Sequence, residues 1–321
     1  MARQVKRITM IAAMVLTVPL GSLAVAGPAM AEAKGPFKIF KNCPLKEMKE
    51  LGVPPSASIC NFNETTSGEV AIGATKVPID SGVNAGKTIT LEGGGVPTGN
   101  PANKYEYYLL PGANGQSFSK TELNVPGGLT DLVNCEEIKG EKLLEKLERG
   151  TCKAIFENKT TGVTATTESV ATATDPAILN EKALALGENT AAVTLPVRIH
   201  LKNPLLGNSC YIGSEATPIV LHLTTGTTSP KPPNKPIKGT IGREETPSEG
   251  EFEFLRITGN SLVDNTFSAP KAEGCGELFA FLIDPIVDSK LKLPSEDGNN
   301  TAILTGTLNE ATAEEVENAN A

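Results

Sequence analysis

The passage that most constrains this chain is the alternation between residues 190 and 224. Leu195, Val197, Ile199 and Leu201 fall on one side of an extended backbone, and Arg198 and His200 fall on the other. Ile219, Leu221 and Leu223 repeat the pattern, with His222 and Thr224 opposite. A period of two marks a strand with one face on a core and the other toward water. The two runs flank residues 203–218, so they predict a hairpin with a long connecting loop, with Pro196 near a strand end or edge. The symmetric register of such a hairpin brings His200 and His222 close together.

Shorter signals of the same kind fill most of the chain. Residues 69–72 and 76–79 alternate about a turn at Gly73-Ala74, and Pro78 marks the second run as an edge strand or a strand start. Residues 87–91 alternate and stop at Gly93-Gly94-Gly95; residues 104–110 form another run. Residues 153–156, 163–174, 252–258, 261–267 and 301–308 read as strands. Helical spacing is confined to residues 141–149, 177–186 and 277–290, the last interrupted at Pro285. The chain has no Trp, 10 Phe and 4 Tyr, so its core must be aliphatic. The expected fold is mainly β: an antiparallel β-sandwich or two packed β lobes with a few short helices.

The N-terminus reads as an export signal. Arg3, Lys6 and Arg7 precede an apolar run over residues 8–26, and Ala29-Met30-Ala31 supplies a small-residue cleavage site. Cleavage after Ala31 is preferred to a retained anchor because Pro19 and Gly21 interrupt the run. It removes three bases and no acid, leaving 26 basic against 37 acidic residues, a charge of −11. Such a chain has no basic footprint for nucleic acid. The organisation that follows is a signal peptide at 1–31 and a β-rich region at 32–228. A proline-rich linker or surface arm at 229–250 comes next. A C-terminal β segment at 251–308 packs on the first region, and an acidic tail at 309–321 is expected to fray.

Six cysteines in an exported chain predict three disulfides. Sequence alone allows 15 pairings; the preferred set is nearest-neighbour: Cys43–Cys60, Cys135–Cys152 and Cys210–Cys275. The second pair requires the chain to double back near Gly140, because a straight helix from Glu136 to Arg149 would hold its ends about 20 Å apart. The third staples the loop between the two best strands to the segment beyond the arm. A metal site is the rival, but no cysteine has a Cys or His partner at the two-to-four-residue spacing zinc uses.

Motifs for chemistry are sparse. Gly82-Val83-Asn84-Ala85-Gly86-Lys87-Thr88 has one residue too few between its glycines for a phosphate loop and leads into a strand. Ser209 and Ser261 lack the second glycine of a nucleophile elbow. His200 and His222 are the only histidines and form a candidate polar-face pair, with solvated surface residues as the competing reading. Tyr105 and Tyr107, on one face of the run at 104–110, are a candidate stacking platform, with core packing as the alternative. No catalytic residue, metal ligand or cofactor site is assigned.

Three stretches carry a resemblance: Leu201-Lys202-Asn203-Pro204-Leu205-Leu206-Gly207-Asn208-Ser209-Cys210-Tyr211-Ile212-Gly213, Leu223-Thr224-Thr225-Gly226-Thr227-Thr228-Ser229-Pro230, and Gly259-Asn260-Ser261-Leu262-Val263-Asp264-Asn265-Thr266-Phe267-Ser268-Ala269-Pro270. Together they resemble a group of secreted, functionally uncharacterised actinobacterial proteins. The resemblance implies export and assigns no site residue. The expected function is a secreted or envelope-associated structural or binding protein, with a cell-wall or envelope component as partner and no membrane span in the mature chain. The alternative is an extracellular glycosidase-like hydrolase using glutamate carboxylates.

Overall fold

A computed structural model describes residues 35–128 and 162–319. The strands of its first part are β1 (Ile59–Ile72), β2 (Thr75–Ile79), β3 (Ile89–Pro97), β4 (Glu106–Pro111) and β5 (Leu123–Val125). Then come β6 (Val163–Ser169), β7 (Ile178–Asn180), β8 (Val193–Asn203), β9 (Gly207–Ile212) and β10 (Ile219–Leu223). The last six are β11 (Arg243–Glu245), β12 (Ser248–Glu249), β13 (Phe252–Glu253), β14 (Leu255–Asp264), β15 (Ala272–Glu273) and β16 (Thr301–Thr312). The described helices are short: α1 (Leu45–Glu50), α2 (Glu181–Leu186), α3 (Ala280–Leu291) and α4 (Ala313–Ala319). The protein is mainly β, and all strand pairings among the described residues are antiparallel.

The main sheet turns back on itself. Neighbours run β14, β16, β1, β3, β4, β7, β8, with β10 on the far edge of β8. Thr224, one residue past β10, then exchanges both backbone hydrogen bonds with Val263 of β14, at 3.0 and 2.9 Å. The two layers of the sandwich are therefore joined at both sides, which leaves no exposed ladder at that seam. Inward side chains follow the sequence alternation: Val193, Leu195, Val197, Ile199, Ile219, Leu221 and Leu223 all face the interior.

β8 organises one half of the molecule. Along one edge it pairs first with β7, at Val193 and Thr194, and then with β6, from Val197 to Lys202. Along the other it pairs with β10 and then β9. Pro196 lies inside this strand, not at its end. Its carbonyl accepts from the Val170 N–H at 3.0 Å. The N and C=O of a strand residue share an edge, so the missing N–H falls where β7 gives way to β6 and removes no regular ladder bond. Pro78 does sit in an edge strand, because β2 pairs with β1 alone.

Several local expectations change in the folded chain. The connection after β8 is not one long loop: Asn203 turns the chain straight into β9, and β10 then pairs with the other half of β8. Gly93-Gly94-Gly95 do not stop β3. The strand runs through them because Met48 of α1 lies against it; a Cβ on Gly94 would stand 2.0 Å from the Met48 methyl. Residues 252–258 and 261–267 are not two strands divided at Gly259. β14 continues past that point with a bulge opposite β16, and Gly259 takes φ +67° there. The acidic tail does not fray over its described part. β16 extends to Thr312, and Val316 of α4 is fully buried. Thr312 and Glu315 form a capping box, the Glu315 N–H donating to Thr312 Oγ1 at 3.2 Å and the Thr312 N–H to Glu315 Oε2 at 3.1 Å.

The arm at 229–250 is tied to the body: the Asn234 N–H donates to the Gly298 carbonyl at 3.1 Å, and Thr240 exchanges backbone bonds with Ser261. Cys43–Cys60 joins the N-terminal segment to β1, and Cys210–Cys275 joins β9 to the residue group after β15, both as the spacing predicts. Cys135 and Cys152, and the helix expected at 141–149, lie outside the described residues. Among the described residues no helix is long and apolar enough to cross a membrane.

Candidate functional site

The outward face of β6, β8 and β9 carries a cluster of polar side chains placed by register. Thr166 stands opposite His200, Glu168 opposite Arg198, and Tyr211 opposite His200 on the other side. Glu168 receives both neighbours on β8. Arg198 Nε and Nη2 lie 2.8 and 2.7 Å from its Oε2, and His200 Nδ1 lies 3.3 Å from its Oε1. The Tyr211 ring packs against both partners: the His200 ring stacks on it at 4.4 Å, and the Arg198 guanidinium carbon lies 4.2 Å from its centroid. One position along, Lys202 and Thr164 both donate to Glu122, at 2.8 and 3.2 Å. The Lys202 hydrogen bond holds that carboxyl below the usual range.

This face is the floor of a groove of about 1070 Å³. Its walls are residues 108–111 of β4, residues 115–120, and the segment around Ala171–Ala173 and Pro176. Two polar atoms of the floor are buried with no hydrogen-bond partner, Thr166 Oγ1 and His200 Nε2. Thr166 is 5 % exposed. The charged residues lining the groove are Lys120, Glu168, Arg198 and Lys202, with Lys202 already paired to Glu122 beside it.

The groove shares part of its wall with an interior cavity. β5 pairs with β6 only from Val163 to Ala165, so among the described residues no strand covers the outer edge of residues 166–169. Leu109, Phe118 and Thr167 stand at this gap and line both the groove and the cavity between the layers. That cavity measures about 110 Å³ and is mostly aliphatic, with Val70, Leu195, Ile199, Leu221, Leu262 and Leu304 in its wall.

A second cluster is built on carboxyl groups. Asn180 caps α2 by accepting the Ala183 N–H at 3.0 Å, which sets Glu181 at the start of the helix. There its carboxyl is hydrogen-bonded to that of Glu310 from β16. Burial raises both, and the neighbouring Glu181 charge pushes Glu310 further, well above the ordinary range. Tyr107 is beside them, its hydroxyl pushed up to about 12 by burial and by the two carboxyls. Glu310 also lines the interior cavity.

The candidate residues read from sequence separate in space. His200 belongs to the groove floor. His222 pairs with Thr194 in β10–β8, and its N–H donates to the buried Asp264 at 2.7 Å; β9, not β10, is the neighbour of His200, so the two rings do not form a pair. Tyr105 precedes β4 in an exposed turn with Lys104 against its ring, whereas Tyr107 faces inward beside the glutamates, so they share no platform. No group of three or more metal-ligating side chains occurs among the described residues. In the three stretches that carry the resemblance, Asp264 accepts from His222 and Thr266, Asn203 holds the β8–β9 turn through its bond to the Leu205 N–H, and Lys202 and Tyr211 line the groove. Comparison with family models, curated proteins and solved structures finds no match for this chain.

Proposed function

We propose that this chain is an exported, non-enzymatic binding protein, envelope-associated or released, whose small-molecule ligand occupies the groove over β6, β8 and β9. The observation that carries the reading is the pair of unpartnered atoms, Thr166 Oγ1 and His200 Nε2, buried in the floor of a large groove. A buried polar atom without a partner costs about 1–3 kcal/mol, and a ligand that supplies the partners removes that cost. Binding is favoured over hydrolysis by how the acids are used. Glu168 is committed to holding Arg198 and His200, and Glu181 and Glu310 are bonded directly. That contact is closer than the roughly 5–9.5 Å at which glycosidases hold their carboxyls. Export is supported by the basic, apolar and small-residue order of the first 31 residues and by two disulfides.

The test is to purify the protein from cells that export it, denature it, and identify released small molecules by mass spectrometry. A molecule present with the native chain and lost from Arg198→Ala and His200→Ala variants is the expected result. Turnover of an ester or polysaccharide panel that disappears in Glu181→Gln overturns the reading in favour of the hydrolase.

A further inference from the structure

We infer that the ligand is an amphiphile, with a carboxylate head held by Thr166, His200 and Arg198 and a short apolar tail that passes Leu109, Phe118 and Thr167 into the interior cavity. This rests on the groove being the binding site.

The head follows from the donors left over on the floor. His200 Nδ1 and Arg198 Nε and Nη2 are taken by Glu168, which orients both side chains and leaves His200 Nε2 and the Arg198 Nη1 group for another acceptor. The Thr166 hydroxyl, next to His200 by register, adds a third donor. His200 meets Glu168 through Nδ1 and leaves Nε2 for a ligand atom. With Arg198 paired to Glu168 and Lys202 to Glu122, Lys120 adds a further positive charge to the lining, which favours an anion.

The tail follows from the gap. Leu109, Phe118 and Thr167 belong both to the groove wall and to the wall of an aliphatic chamber directly behind it. The chamber sets the tail length. A water-sized group needs about 10–15 Å³ of such space, so 110 Å³ takes at most roughly ten, and a methylene is of similar size. A medium-length chain fits this volume and a long one does not.

Calorimetric titration of the mature protein with acetate, butyrate, hexanoate, octanoate, decanoate, octanol and octylamine tests this. Binding should tighten about fourfold per added methylene and level off at about ten carbons, with octanol weaker than octanoate and octylamine silent. Arg198→Ala and Thr166→Val should weaken octanoate about tenfold or more while leaving octanol little changed. Leu304→Phe and Leu262→Phe, two independent fillings of the chamber checked for native circular dichroism, should abolish the chain-length trend and keep butyrate binding. Carboxylate binding that depends on Arg198 but not on chain length overturns the amphiphile and leaves the groove standing. Silence of the whole carboxylate series also overturns the amphiphile. Silence joined to a natively bound molecule that survives Arg198→Ala overturns the groove itself.

Discussion

On the β1, β3 and β16 side of the sheet, the outward residues Cys60, Val96 and Ala311 are buried under the N-terminal segment and α4. Phe254 packs edge to face on Phe37 and Phe40, which are tilted against each other, with ring centroids 5.2–6.1 Å apart, and Cys43–Cys60 bolts the cover down. On β6, β8 and β9 the outward residues are Thr166, Glu168, Arg198, His200 and Tyr211, and two of their polar atoms are buried without partners. The same sheet thus carries one outer face sealed by apolar packing and one left as a polar groove. The first face is covered as a core is, whereas on the proposed reading the second keeps its cost for a ligand.

The comparison breaks most sharply under truncation. Phe254→Ala removes the ring that both other phenylalanines touch and should cost about 3–5 kcal/mol in urea unfolding. Arg198→Ala, at a third-exposed ion pair, should cost about 1 kcal/mol or less. Equal costs would make the groove cluster a structural staple and remove the contrast. Replacing Cys43 and Cys60 by Ala releases a bridge of sequence separation 17 and should cost about 3 kcal/mol by the same measurement.

What the sequence disclosed follows from how local each feature is. The inward and outward faces of β8 and β10 were readable because alternation needs no partner, and the pairs Cys43–Cys60 and Cys210–Cys275 because both lie in a chain that reads as exported. The capping box Thr312–Glu315 was present as a pattern, but the acidic run around it pointed to a fraying tail. β9 was hidden because Gly207-Asn208-Ser209 has turn composition, and losing it produced the false His200–His222 pair. The groove floor was not legible: Glu168, Arg198 and Tyr211 come from three strands, and only the registers of β6 and β9 on β8 unite them. Glu181 and Glu310 meet across the fold with no local signal at either position.

Smaller effects sharpen the same contrast. Thr166→Val replaces an unpartnered hydroxyl by a methyl of similar shape and should stabilise the ligand-free protein by about 1 kcal/mol in thermal unfolding. A loss of stability would mean that the hydroxyl is already satisfied. Glu310 has its pKa raised in the folded state. Above the unfolded value of about 4.3 the native state therefore holds the extra proton, and stability falls as pH rises through the folded pKa. Glu310→Gln should flatten that decline, seen by urea midpoints between pH 4 and 8. An unchanged slope would show that the pair does not share a buried proton.

The most direct measurement of the central claim is an amide NMR titration of the mature protein with octanoate. The account predicts saturable shifts at Thr166, Glu168, Arg198, His200 and Tyr211, continuing through Leu109, Phe118 and Thr167, with the amides around Phe37, Phe40 and Phe254 unmoved. Shifts centred on the sealed face, or none at the groove at saturating octanoate, would contradict it.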